Sequence, residues 1–208
     1  EEIKNEASSG GLTLSGNHRV SFKNDGSFNY IPMPAGTPTN TGYLSGLNGA
    51  IYINGSAWVE GIVNGSVTLA AQDSIYVSNN ITYSSAQSHT PWQTNTFNPY
   101  AVNDKLGLIA SNRFQILGSN NVTIHAAIMV TSGDDGFCAA KKYDRIGGPY
   151  INLFGSLSQY RRGVIGRASS PFEGYHKNYK FDVRFNSDSP PNFPYSMYTF
   201  SRWEQDGY

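Results

Sequence analysis

The chain has 208 residues, of which 13% are aromatic and only 14% charged, against roughly 25% charged in an average soluble domain; it can bury enough surface to offset its ordering entropy, so disorder is excluded. The shortage of Glu, Lys, Ala and Leu excludes a coiled coil, and no apolar run approaches the roughly 18 residues of a membrane-spanning helix. Cations and anions cancel at 15 each, which argues against a protein-wide binder of polyanions.

Glu1-Glu2-Ile3-Lys4 does not read as a secretory signal. Residues 1–48 are rich in Gly, Ser, Asn, Thr and Pro and carry two alternating stretches, Leu12-Thr13-Leu14 and Arg19-Val20-Ser21-Phe22. They predict short strands and turns that lead into the segment starting at residue 49, not a separate domain.

Residues 49–83 carry the strongest pattern. Short β-branched or aromatic segments alternate with turns: Ile51-Tyr52-Ile53, Ala57-Trp58-Val59, Ile62-Val63, Val67-Thr68-Leu69, Ile75-Tyr76-Val77 and Ile81-Thr82-Tyr83. Asn54-Gly55 and Asn64-Gly65 are turn dipeptides, because Asn and Gly tolerate positive φ, and Gly49, Gly55 and Gly61 recur every six residues. Such short strands fit a right-handed parallel β-solenoid, whose coils stack and share a core. A β-sandwich competes, but its turns fall every 8–12 residues.

The polar stretch 84–105 reads as a loop excursion. The pattern resumes at Leu106-Gly107-Leu108-Ile109-Ala110 and continues through Phe114–Leu117 and Val122–Val130. A second excursion, 131–149, is followed by Tyr150–Phe154, Ser156–Ser158 and Gly163–Gly166. Helix signals are nearly absent, the best lying around Phe137–Tyr143. The expected architecture is therefore all-β: an entry segment at 1–48, a solenoid at 49–166, and a Tyr/Pro-rich cap at 167–208 that covers exposed strand edges.

The ordered series from Gly49-Ala50-Ile51-Tyr52-Ile53-Asn54-Gly55 to Val67-Thr68-Leu69-Ala70-Ala71 resembles the start of a bacterial β-solenoid domain of pilin-like and pilus-assembly-associated surface proteins. Further matches are Ile124-His125-Ala126-Ala127, Leu153-Phe154-Gly155-Ser156, Arg161-Arg162-Gly163-Val164-Ile165-Gly166, Gly174–Asp182, Pro190–Pro194 and Trp203-Glu204. The resemblance extends to the solenoid part of competence-associated minor pilins. It implies a non-catalytic extracellular, cell-surface or periplasmic module of adhesion or assembly. The implied partners are other pilus or surface proteins, with DNA or polysaccharide as further partners.

Charge is unevenly spread. Residues 1–140 hold five Lys/Arg and nine Asp/Glu, whereas residues 141–184 hold nine and three. The candidate anion- or DNA-binding set is therefore Lys141, Lys142, Arg145, Arg161, Arg162, Arg167, Lys177 and Lys180, joined by Arg184. Tyr160, Tyr175 and Tyr179 could stack on bases. The competing reading is structural, with an arginine paired to Asp182 and the tyrosines covering the last coil.

Catalysis has little to stand on. Glu60, Asp73, Asp104, Asp134, Asp135, Asp144, Glu173 and Asp182 recur at no interval equal to a coil, so a polysaccharide lyase or glycosidase is only an alternative. His125 sits in an apolar run and reads as a core histidine. Asp134-Asp135-Gly136 lacks the alternating oxygens of a calcium loop and reads as a polar turn. Cys138, the only cysteine, excludes an internal disulfide and a multi-cysteine zinc site. No cofactor is expected.

Overall fold

A computed structural model describes residues 2–34, 39–86, 101–118, 120–140, 148–167 and 173–194. Over these the chain is mostly β, built on a sheet dominated by parallel pairing. The strands are β1 (Leu12–Ser15), β2 (His18–Phe22), β3 (Ser27–Pro32), β4 (Asn40–Tyr43), β5 (Ala50–Asn54) and β6 (Ala57–Val63). They continue with β7 (Ser66–Ala71), β8 (Ser74–Val77), β9 (Ile81–Tyr83), β10 (Lys105–Ala110), β11 (Arg113–Ile116) and β12 (Val122–Val130). The last are β13 (Gly136–Ala139), β14 (Tyr150–Gln159), β15 (Gly166–Arg167), β16 (Glu173–Gly174) and β17 (His176–Phe181).

Three runs of parallel pairing organise them. The first links β1, β5, β7, β10 and the ends of β12 and β14, and aligns Leu12, Ile51, Leu69, Leu108, Ile128 and Leu157 in one row. The second links β2, β6, β8, β11 and β13, and aligns Ala57, Ile75, Phe114 and Phe137. The third links the end of β6, β9, the starts of β12 and β14, and β17; Gly61, Ile81, Ile124, Leu153 and Tyr179 align there. Because side chains alternate along a strand, each aligned row faces one way. The rows meet in a shared core that takes in Ile51, Leu69, Ile75, Leu108, Phe114, Ile124, Phe137 and Leu153. Each fully buried Ile, Leu or Phe contributes roughly 1.5–3 kcal/mol.

The N-terminal stretch joins the same sheet, since β1 pairs with β5 and β2 with β6. β3 and β4 extend it by antiparallel pairing. Several local expectations change. A helix, α1 (Glu2–Ser8), forms where none is expected; Ala7 is buried, and the Asn48 amide donates to the Glu6 carbonyl at 2.8 Å. It is tertiary docking that stabilises so short a helix. The weak helix signal at Phe137–Tyr143 instead begins inside β13, and its last three residues lie outside the described set. Gly61 marks no turn. It lies within β6 with φ +109°, and a Cβ there would stand 2.1 Å from the Phe22 carbonyl oxygen. Only glycine allows the strand to bend so close to β2.

The expected 131–149 excursion contains β13, and the C-terminal region contains β17, which pairs with β14 over six residues. Beyond β17, residues 182–194 run back across the first row of strands. The Asp182 N–H donates to the Gly155 carbonyl at 3.0 Å, and Lys105 pairs with Asp188. The Thr68 hydroxyl donates to the Pro191 carbonyl, and the Asn192 amide to the Asn48 carbonyl at 3.2 Å. The described tail thus lies along the strands as a strap, seated over small residues: Thr68 is fully buried, and a Cβ on Gly107 would meet the Phe193 ring at 2.5 Å. No helix among the described residues is long and apolar enough to cross a membrane.

Candidate functional site

β17 is the last strand of the third row, and it pairs only with β14 among the described residues. Its alternation places Lys177, Tyr179 and Phe181 on one side and His176, Asn178 and Lys180 on the other. Lys177 aligns with Ile151 and Tyr179 with Leu153, both buried, yet both β17 side chains are exposed. They stand at core positions at the end of the row.

Beside Lys177 lies a groove of about 460 Å³ between the bend Arg162–Gly166 and the segment Tyr175–Lys177. The bend is held on two sides. The Ala139 N–H donates to the Val164 carbonyl and the Tyr175 N–H to the Ile165 carbonyl, both at 3.0 Å. Ile165 is buried and anchors it. Partial burial and the neighbouring Arg162 guanidinium hold the Lys177 ammonium below the ordinary lysine range. Neither Arg162 nor Lys177 makes an ion pair among the described residues. Around them, His176 lies against Tyr150 with ring centroids 5.1 Å apart, and Tyr179 meets Phe137 edge-on at 6.3 Å.

The candidate residues are therefore only partly gathered. Arg162 and Lys177 share the groove. Arg161 turns to Asp134 at 2.7 Å and lies over the exposed Tyr160 ring. Lys180 is exposed on the opposite side of β17 from Lys177, and Arg167 is exposed on β15 with Glu173 as its cross-strand neighbour. Lys141, Lys142 and Arg145 lie outside the described residues. Because β14 ends at Gln159, Arg161 and Arg162 occupy a bend and both are exposed, so strand alternation does not separate them.

Two members of the broader set are corrected. Arg184 is buried, not surface-binding: its Nε donates to Asp182 Oδ1 at 2.9 Å and its Nη2 to Oδ2 at 2.5 Å. Asp182 is thus taken by Arg184 rather than by Arg161 or Arg162. Tyr175 is also buried, and its hydroxyl donates to the Gly118 carbonyl, so it offers no stacking face. His125 is the core residue its apolar run suggests. Its Nδ1 accepts the Tyr83 N–H at 3.1 Å, and burial, then the Arg184 charge, push its pKa down to about 3.

Several of the carboxylates weighed for catalysis serve local structure. Asp73 accepts from Ser56 and Asn112, and Asp104 from the Gly65 and Ser85 N–H groups. Asp134 and Asp135 pair with Arg161 and Arg113. Among the described residues no group of three His, Cys, Asp or Glu is placed to hold a metal ion. Sequence reasoning weighed an arginine paired to Asp182 without saying which; the structure gives it as Arg184. The signal was there, opposite charges two residues apart before an apolar Phe. No family model, curated protein or solved structure matches this chain.

Proposed function

We propose that the chain is a non-catalytic β-solenoid surface module of adhesion or assembly that engages an anionic partner at the Arg162–Lys177 groove. The three aligned parallel rows support the solenoid reading, each row serving as one wall of a coil, and the strong preference of parallel crossovers for the right hand supports right-handed coiling. The pilus-associated setting rests on the ordered motif series alone. One observation carries the binding role: Arg162 and Lys177 share one groove without a carboxylate partner among the described residues, and partial burial, then the Arg162 charge, lowers the affinity of Lys177 for its proton. A phosphate or carboxylate placed between them relieves that repulsion. Exposed Tyr179 and Tyr160 flank the cations and offer rings to an unstacked base.

The test is fluorescence anisotropy with a labelled oligodeoxythymidylate, and in parallel with labelled polygalacturonate, at about 50 mM salt, where phosphate contacts are strongest. Binding should be salt-sensitive. Arg162→Glu with Lys177→Glu should weaken it by tenfold or more, in line with about 1.4 kcal/mol per decade. Absence of binding to both polymers, or binding unchanged by the double reversal, refutes the site. Breakdown of polygalacturonate during the titration would instead support the lyase alternative.

A further inference from the structure

A second groove lies at the turns that precede β9 and β12. On β6, Trp58 and Glu60 point outward between the buried Ala57 and Val59. On β8, Tyr76 points outward between the buried Ile75 and Val77. Trp58 and Tyr76 are cross-strand partners, and their rings stack at 4.7 Å with a 29° tilt. Two residues further on, about 7 Å along each strand, the surface opens into a groove of about 400 Å³ lined by Glu60, Ser78, Asn79, Asn80, Asn120 and Asn121.

The polar groups here are fixed in orientation. Asn80 Oδ1 accepts the Thr123 N–H at 2.9 Å, and Asn121 Oδ1 accepts the Tyr150 N–H at 2.8 Å. Each amide therefore keeps its NH₂ as the remaining group, a donor. Asn79 is the reverse: its NH₂ donates to Glu60 Oε2 at 2.6 Å, which leaves its oxygen as an acceptor. Glu60 is steadied on its other oxygen by the Ser21 hydroxyl at 3.0 Å. Ser78 and Asn120 are exposed, and their side chains make no hydrogen bond among the described residues.

We infer that this groove binds a neutral oligosaccharide. A sugar hydroxyl donates and accepts at once, and the groove presents oriented donors and acceptors side by side. Its only charged group among the described residues is the Glu60 carboxylate, and no described cation lines it, so phosphate and uronate ligands are disfavoured. The stacked Trp58–Tyr76 pair stands beside the groove, outside its lining, so recognition rests on the oriented polar groups. This groove shares no lining residue with the basic groove.

The experiment is an array of neutral, amino-bearing and acidic oligosaccharides probed with the full chain, followed by calorimetric titration of the strongest ligand. The wild type should retain neutral glycans. Ser78→Ala with Asn120→Ala removes two contacts and should weaken retention by about tenfold. Since neither side chain bonds within the described protein, the Tm should not move. Arg162→Glu with Lys177→Glu should leave neutral-glycan binding intact. Retention of acidic glycans only, of none, or retention indifferent to the Ser78 and Asn120 changes overturns the inference.

Discussion

Replacing Arg184 by Met leaves Asp182, which is 0% exposed, as an uncompensated buried carboxylate. The guanidinium makes a forked contact: Nε reaches both Asp182 oxygens at 2.9 and 3.1 Å, and Nη2 reaches Oδ2 at 2.5 Å. Its Nη1 also satisfies the Val102 and Asp104 carbonyls, and the charge lies 5.5 Å from the centre of the Tyr83 ring. Breaking such a pair on one side costs about 3–5 kcal/mol, because the remaining charge stays desolvated. Removing both charges with Asp182→Leu and Arg184→Met should cost far less, since well-packed apolar replacements of buried pairs are often neutral or stabilising. Urea unfolding followed by circular dichroism measures Arg184→Met, Asp182→Leu and the double variant. The single change should lose about 3–5 kcal/mol and the double should recover most of it. A loss below about 1 kcal/mol for Arg184→Met, in the range of exposed pairs, would refute the buried-pair reasoning. So would a double variant as unstable as the two single losses added.

Gly107→Ala places a Cβ 2.5 Å from both the Phe193 ring and the Thr68 hydroxyl; overpacking of this kind costs about 1–3 kcal/mol, and limited proteolysis should cut near residues 182–194 faster than in wild type. Equal cleavage rates would show that the strap does not depend on this contact. His125 has its pKa lowered from 6.5 to about 3 in the folded chain, so its contribution is fully present above the unfolded value and is lost as pH falls from 6.5 towards 3. At pH 5 the loss is about 2 kcal/mol relative to pH 7. Comparing urea midpoints at the two pH values, His125→Asn should lose correspondingly less than wild type; equal losses would remove His125 as the cause.

The candidate site was legible in charge but not in geometry. The concentration of Lys and Arg after residue 140 is a sequence fact, and Arg162 and Lys177 belong to it. Which cations meet, however, depends on the end of β14 at Gln159 and on the register of β17 against β14. A one-residue shift of that register would put His176 or Asn178 in place of Lys177 opposite Ile151 and turn Lys177 to the other side. Arg184 illustrates the opposite outcome: alike in sequence to its basic neighbours, it is taken out of the surface by Asp182.

The amino-acid sequence by itself determined the β-rich character, through short alternating apolar segments whose inward residues become the aligned rows of Leu, Ile, Val and Phe. It also determined the turn at Asn64-Gly65, where Gly65 takes a positive φ that glycine adopts freely; at Asn54-Gly55 it is the close approach of Gly16 that requires glycine. It did not determine α1, whose seven residues are held by Asn48 and the burial of Ala7, nor the bend at Gly61, set by the approach of Phe22. It did not determine the course of residues 182–194 either. These features rest on contacts between residues far apart in the chain, such as Thr68 with Pro191 and Gly107 with Phe193, and a local pattern of residue types holds no record of which distant partner will lie alongside.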